Sequence, residues 1–261
     1  MRTLLYIFCL LILPAGCAAV QPALSISNSE NLETFAVKGR QGILINQELE
    51  FGEFETSKVK RSWTKGGNSR LQVPVGDAGT TGYPDLPSLN YIDRNQTFHF
   101  QMKDSTGQES DVYAASEFSS EDLQLEERSS VLEEILGFSL KSENFFYLQI
   151  FLNKNLQPWQ LILDNEAAQV FPGKYRGILV LDENTYYSLE PISKVQGKKG
   201  PKSLLLGSIG YEIFNSRNHS IAAVSLVDNG KVYFNTNDPE ERFLLANLCA
   251  ALLLQENISE E

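Results

Sequence analysis

Sulfur and imidazole are scarce in this chain of 261 residues, which holds three cysteines, two methionines and two histidines. Cys9 and Cys17 stand in the apolar N-terminal stretch, leaving Cys249 alone in the rest of the sequence. With that stretch set aside no intramolecular disulfide can form, so stability must come from a hydrophobic core. His99, His219 and a single further cysteine exclude a Cys/His zinc cluster, and no cofactor is expected. Basic charge is also short, at 22 Lys and Arg against 33 Asp and Glu, a net charge of −11. That balance argues against nucleic acid as a partner. Catalytic signatures are missing too: there is no G-x-S-x-G elbow, P-loop, G-x-G-x-x-G after a strand, or H-E-x-x-H. The acidic stretch 117–134 lacks calcium-loop spacing. The chain is therefore read as a non-enzyme. Two apolar runs, Leu4–Leu13 and Phe243–Leu254, are both too short for a bilayer. Twelve helical residues extend only about 18 Å against a ~30 Å hydrocarbon core.

What is present begins with MRTLLYIFCLLILPAGC. Arg2 supplies a positive n-region, and Leu4–Leu13 an apolar stretch of signal-peptide length. Pro14-Ala15-Gly16-Cys17 then resembles the lipobox of bacterial lipoproteins, although Pro14 stands where that pattern prefers Leu, Val or Ile. The resemblance implies cleavage before Cys17, diacylglycerol on its thiol, and a stable anchor through two or three acyl chains. Ala18, in place of Asp, favours the outer membrane by the same resemblance. The same residues also suit an ordinary secretory signal in which Cys17 is incidental. The expected organisation is a signal peptide over 1–16, a lipidated Cys and flexible tether over 17–31, and one β-rich domain over 32–257.

Strand patterns dominate that domain. Phe98, Phe100 and Met102 alternate with His99 and Gln101. Phe145–Leu152 is apolar on both faces, as in a buried strand. Further strands are expected over 112–118, 159–163, 178–181, 186–189, 204–214, 221–227 and 231–234. Leu49, Phe51 and Phe54 suggest another, with Gly52 as a bulge. Asp228-Asn229-Gly230 reads as a hairpin turn, with positive φ tolerated at Asn-Gly. Residues 66–90, dense in Gly and Pro, form a long irregular connection, and 131–136 a short amphipathic helix.

A last helix is expected over 239–256. Asp238 can cap it, Pro239 suits its first position, and Glu241 completes a capping box. Phe243–Leu254 leave no polar stripe beyond Asn247, so the helix must be buried all round. Many hairpins followed by one hydrophobic helix resemble the tubby C-terminal, phospholipid-scramblase and LURP-one-related group. The resemblance rests on GSIGYEIFNSRNHSIAAVSLVDNGKVYFN and DPEERFLLANLCAALLL. It implies an antiparallel barrel-like sheet wrapped around a hydrophobic C-terminal helix, a mainly β (β-rich α+β) fold.

Candidate surface-binding residues come from two basic clusters. Lys58, Lys60, Arg61, Lys65 and Arg70 form one, where Arg61 and Trp63 pair a cation with an aromatic ring. Lys194, Lys198, Lys199 and Lys202 form the other, placed in a loop by Gly197, Gly200 and Pro201. Either suits lipid phosphates, a glycan or a protein partner, and either also reads as solubilising charge. Arg61 equally reads as a stem packed beside a buried Trp. The favoured function is a membrane-anchored envelope lipoprotein with a non-catalytic binding or structural domain. The alternatives are a carrier of apolar ligands with an open barrel lumen, and a hydrolase using scattered carboxylates.

Overall fold

The computed structural model describes residues 20–28, 31–40, 47–63, 96–118, 145–170, 172–173, 176–182, 184–205 and 207–255. Cys17, the signal-like segment, the 66–90 connection and the helix expected at 131–136 lie outside the described residues. In chain order the strands are β1 (Glu33–Ala36), β2 (Glu50–Phe51), β3 (Phe54–Thr56), β4 (Lys60–Trp63), β5 (Gln96–Lys103), β6 (Glu109–Phe118), β7 (Phe145–Leu152), β8 (Trp159–Asp164), β9 (Gly177–Asp182), β10 (Thr185–Pro191), β11 (Lys194–Gly197), β12 (Gly200–Ser203), β13 (Gly210–Phe214), β14 (Ser220–Ser225) and β15 (Lys231–Phe234).

Thirteen of these form one antiparallel sheet in the order β1-β15-β14-β13-β10-β9-β8-β7-β6-β5-β3-β2, with β4 pairing β5 beside β3. β1 and β2, the two ends of that order, meet through a Lys38–Glu50 bridge whose backbone hydrogen bonds measure 2.9 and 3.2 Å. The sheet thus curls into a nearly closed barrel, which leaves few unpaired edge groups. Alternation sets the faces. Phe98, Phe100 and Met102 of β5 and Phe146, Leu148 and Ile150 of β7 point into one continuous core.

The core is threaded by a helix, α2 (Pro239–Leu254), after a shorter helix α1 (Asn165–Val170) that follows β8. Asp238 caps α2 by accepting from the Glu240 and Glu241 backbone N–H groups, both at 2.9 Å. Every residue from Phe243 to Leu254 is buried, as the absence of a polar stripe requires. Its packing partners are β3, β6, β7, β14 and β15, strands from around the ring. Asn247 is satisfied inside: its Oδ1 accepts from Ser110 Oγ (2.5 Å), and its Nδ2 donates to the Phe243 carbonyl (2.7 Å). The architecture expected from the sequence, a barrel-like sheet around a hydrophobic terminal helix, is the one observed.

Several local expectations are corrected. The helix ends two residues early, at Leu254, because Gln255 turns extended. Glu241 does not close a capping box; it accepts instead from Tyr187 Oη (3.0 Å) and from Thr236 Oγ1. Gly52 (φ +59°) lies in the turn joining β2 and β3, not in a bulge. In the 228–230 turn Asp228 and Gly230 take positive φ, and Asn229 does not. The strand expected over 204–214 begins only at Gly210, and the basic 194–203 segment is a hairpin, not a loop.

Of the flexible tether expected over 17–31, the described residues 20–28 are instead docked. Pro22 bridges Val195, the Ala23 N–H donates to the Lys194 carbonyl, and a 3₁₀ turn spans Ser25–Asn28. Leu24 and Ile26 are buried with Ile192, Ala223 and Tyr233 on the outer face of the barrel. Two apolar side chains spaced by two residues dock this segment despite its polar composition.

Candidate functional site

The ends of the barrel carry its polar features. At the end where α2 starts, Arg242 is nearly buried, with 11% of its side chain exposed. Its guanidinium reaches Glu33 Oε2 and Glu53 Oε1, both at 3.0 Å, and donates to the Thr236 carbonyl at 3.2 Å. It also lies 5.0 Å over the Phe234 ring. One arginine therefore fastens the helix start to β1 and to the β2–β3 turn. Beside it opens a groove of about 350 Å³, lined by Glu33, Glu53, Asp104, Thr106, Asn237 and Arg242 among others.

Asp104 is held by its own turn. Its carboxylate accepts from the Thr106 and Gln108 backbone N–H groups at 2.9 and 2.8 Å, and from the Thr106 hydroxyl and Gln108 amide. Burial pushes the Asp104 carboxyl up, but these hydrogen bonds outweigh it and hold the group below the ordinary carboxylate range. The groove thus presents three carboxylates against one guanidinium that is already shared between two of them. Chemically it suits a cationic or hydrogen-bond-donating group. Sequence reasoning missed the groove, since Glu33, Glu53 and Arg242 converge only through sheet closure.

At the opposite end, Arg61 of β4 reaches inward. Its Nη2 donates to the Leu254 carbonyl and to Gln47 Oε1, both at 2.9 Å, and its guanidinium lies 5.1 Å from the Phe98 ring centre. Arg61 is therefore a cap on the last turn of α2, where cations are favoured, rather than an open surface cation. Trp63 is described in its backbone alone, opposite Gln96 in the register. Lys198 and Lys199 form the exposed two-residue turn of the β11–β12 hairpin, which Gly200 completes at φ +110°. The structure does not unite the two basic clusters, because β4 and the hairpin lie on different parts of the ring.

The remaining candidates have plain roles. His99 stacks on Tyr113 at 4.4 Å and lies 3.4 Å from Asp111 on the outer face. The His219 backbone closes a turn onto Asn215. Burial pushes the Cys249 thiol up, away from reactivity. Among the described residues no group of three His, Cys, Asp or Glu is placed to hold a metal ion, and no helix is long and apolar enough to cross a membrane. Comparison with protein-family models, curated proteins and solved structures finds no match.

Proposed function

We propose that this chain is a lipid-anchored protein of the bacterial envelope whose barrel is a non-catalytic binding module. The observation that carries the binding reading is the filled lumen: α2 is buried from Phe243 to Leu254 and occupies the space an apolar ligand would need. A carrier of the lipocalin kind keeps that space open. Recognition then falls to the ends and the outer face, and the groove beside Arg242 is the polar concavity available for a partner. Its carboxylates Glu33 and Glu53 are engaged in holding the helix start, which suits a fixed recognition surface better than proton transfer. The anchor half of the reading rests on the lipobox-like LPAGC and the signal-like residues before it.

The anchor is tested by feeding cells an alkyne-tagged fatty acid. Wild type is expected to take up the tag and Cys17→Ala to lose it; equal labelling overturns the anchor. The binding role is tested by crosslinking intact envelopes that carry wild type or a Glu53→Lys, Asp104→Lys variant. Loss of one discrete crosslinked species in the variant supports it, and an unchanged pattern removes the groove from consideration.

A further inference from the structure

The docked N-terminal segment and the basic hairpin are neighbours. Pro22 pairs antiparallel with Val195, the Ala23 N–H donates to the Lys194 carbonyl at 3.0 Å, and the Gln196 N–H donates to the Gln21 carbonyl at 2.8 Å. Residues 21–23 therefore lie antiparallel along β11 through one β-bridge and its two flanking hydrogen bonds. Traced toward its N-terminus, this segment runs in the same direction as β11, toward the Lys198–Lys199 turn. Cys17 stands three residues before Val20 in the sequence, which leaves only a short tether between it and this segment. A lipid on Cys17 would enter the membrane beside that turn.

The hairpin is composed for such a surface. Lys194, Lys198, Lys199 and Lys202 are all exposed, and among the described residues none is in an ion pair. This is a local excess of positive charge on a chain of net charge −11. At physiological salt the Debye length is about 8 Å, so acids elsewhere on the barrel are largely screened from it. At the hairpin's base the Leu204 N–H closes onto the Ser193 carbonyl, and the next side chain, Leu205, is wholly exposed. A bare leucine next to the base of a hairpin that carries four exposed lysines is the composition of an interfacial contact.

We propose that the β11–β12 hairpin docks on anionic phospholipid headgroups and fixes how the barrel stands on the membrane. The inference rests on the Cys17 anchor and adds the orientation. The hairpin leaves the barrel after β10, at the end where α2 terminates. The register places the start of α1 there too, and Gln255 Nε2 donates to Asn165 Oδ1 at that end. The groove beside Arg242 is at the other end and faces away from the lipid.

The test uses the full chain, matured in a bacterial host, purified in detergent and reconstituted into vesicles of phosphatidylcholine alone or mixed with phosphatidylglycerol. Lysine acetylation rates are read residue by residue by mass spectrometry, with Lys154 at the opposite end as the internal reference. Lys198 and Lys199 are expected to react about fivefold more slowly on the anionic vesicles. Molar salt should erase the difference, since the Debye length there is about 3 Å. Replacing both by glutamine should weaken the protection of Lys194 and Lys202. Equal rates on the two vesicle types, in protein that floats with both, overturn the hairpin's role and leave the anchor standing. Protein that does not float with neutral vesicles, or a Cys17→Ala protein that floats with neutral vesicles as well as wild type, overturns the anchor and the orientation with it.

Discussion

Ser25 donates its backbone N–H (3.0 Å) and its hydroxyl (2.5 Å) to Oε1 of Glu212, a residue 187 positions away on β13. The same carboxylate accepts from the Ile26 N–H (3.3 Å) and from Ser220 Oγ (2.7 Å). Glu212 faces outward between Tyr211 and Ile213, which point into the core. It stays only 8% exposed because the N-terminal segment covers it. A charged acceptor with several donors is among the stronger kinds of hydrogen-bonded site.

Glu212→Ala should therefore release the N-terminal segment while leaving the barrel folded. Losing a charged acceptor costs about 1.5–3 kcal/mol, and here the loss falls mostly on a local docking step. Hydrogen exchange should accelerate at the Ser25 and Ile26 amides and stay unchanged in β13–β15. Unchanged exchange at residues 25 and 26 would show that Leu24 and Ile26 alone hold the segment.

Arg61→Met keeps most of the side chain's length and removes its donors. The Leu254 carbonyl and Gln47 Oε1 each lose a charged partner, an expected cost of about 1.5–3 kcal/mol in urea unfolding. A variant as stable as wild type would remove Arg61 from the capping role and return it to the surface-binding reading.

Much of this fold was legible in the sequence, for physical reasons that particular residues display. Phe98, Phe100 and Met102 announce β5 because only a two-residue period puts all three on one face. α2 was legible from Asp238-Pro239 and from an apolar run too short for a membrane. The β11–β12 hairpin was not, since Lys, Gly and Gln carry little strand preference and its pairing partners include residues 21–23. The N-terminal docking was hidden for a similar reason. Glu212 reads as an ordinary solvent-facing residue in an alternating strand until the fold brings Ser25 to it. The groove lay further from view, because Glu33, Glu53 and Arg242 are gathered from three distant segments.

Ser110 and Asn247 give the sharpest test of the core. Ser110→Ala leaves Asn247 Oδ1 buried without its donor and should cost about 1–3 kcal/mol. Adding Asn247→Leu removes the orphan, so the double variant should recover part of that loss. A double variant less stable than the sum of the two single ones would show that the polar pair fixes the packing of α2, and not merely its own hydrogen bond.

Acid should loosen the Asp104 turn at the rim of the groove. Asp104 is held below its unfolded value, so its contribution is present above the ordinary carboxylate pKa and is lost as pH falls through the lower folded one. The Thr106 and Gln108 amide resonances should report that titration together. In Asp104→Asn they should become independent of pH in the same range, and a titration that survives the substitution overturns the assignment to Asp104.

The seam of the barrel can be probed at Gly39, next to the Lys38–Glu50 bridge. Gly39 has φ +81°, and a Cβ there would stand 1.6 Å from the Glu48 carbonyl oxygen. Gly107 has a similar φ of +93° but open space around it. Gly107→Ala should cost only the left-handed backbone penalty, about 1–2 kcal/mol. Gly39→Ala pays the same penalty and must also push apart the backbone that joins β1 to β2. Its extra loss in urea unfolding, with faster exchange at the Lys38 and Glu50 amides, measures how much the closed seam contributes. Equal losses for the two variants would mean that the barrel tolerates an open seam, with β1 held by its pairing to β15 and β2 by its pairing to β3.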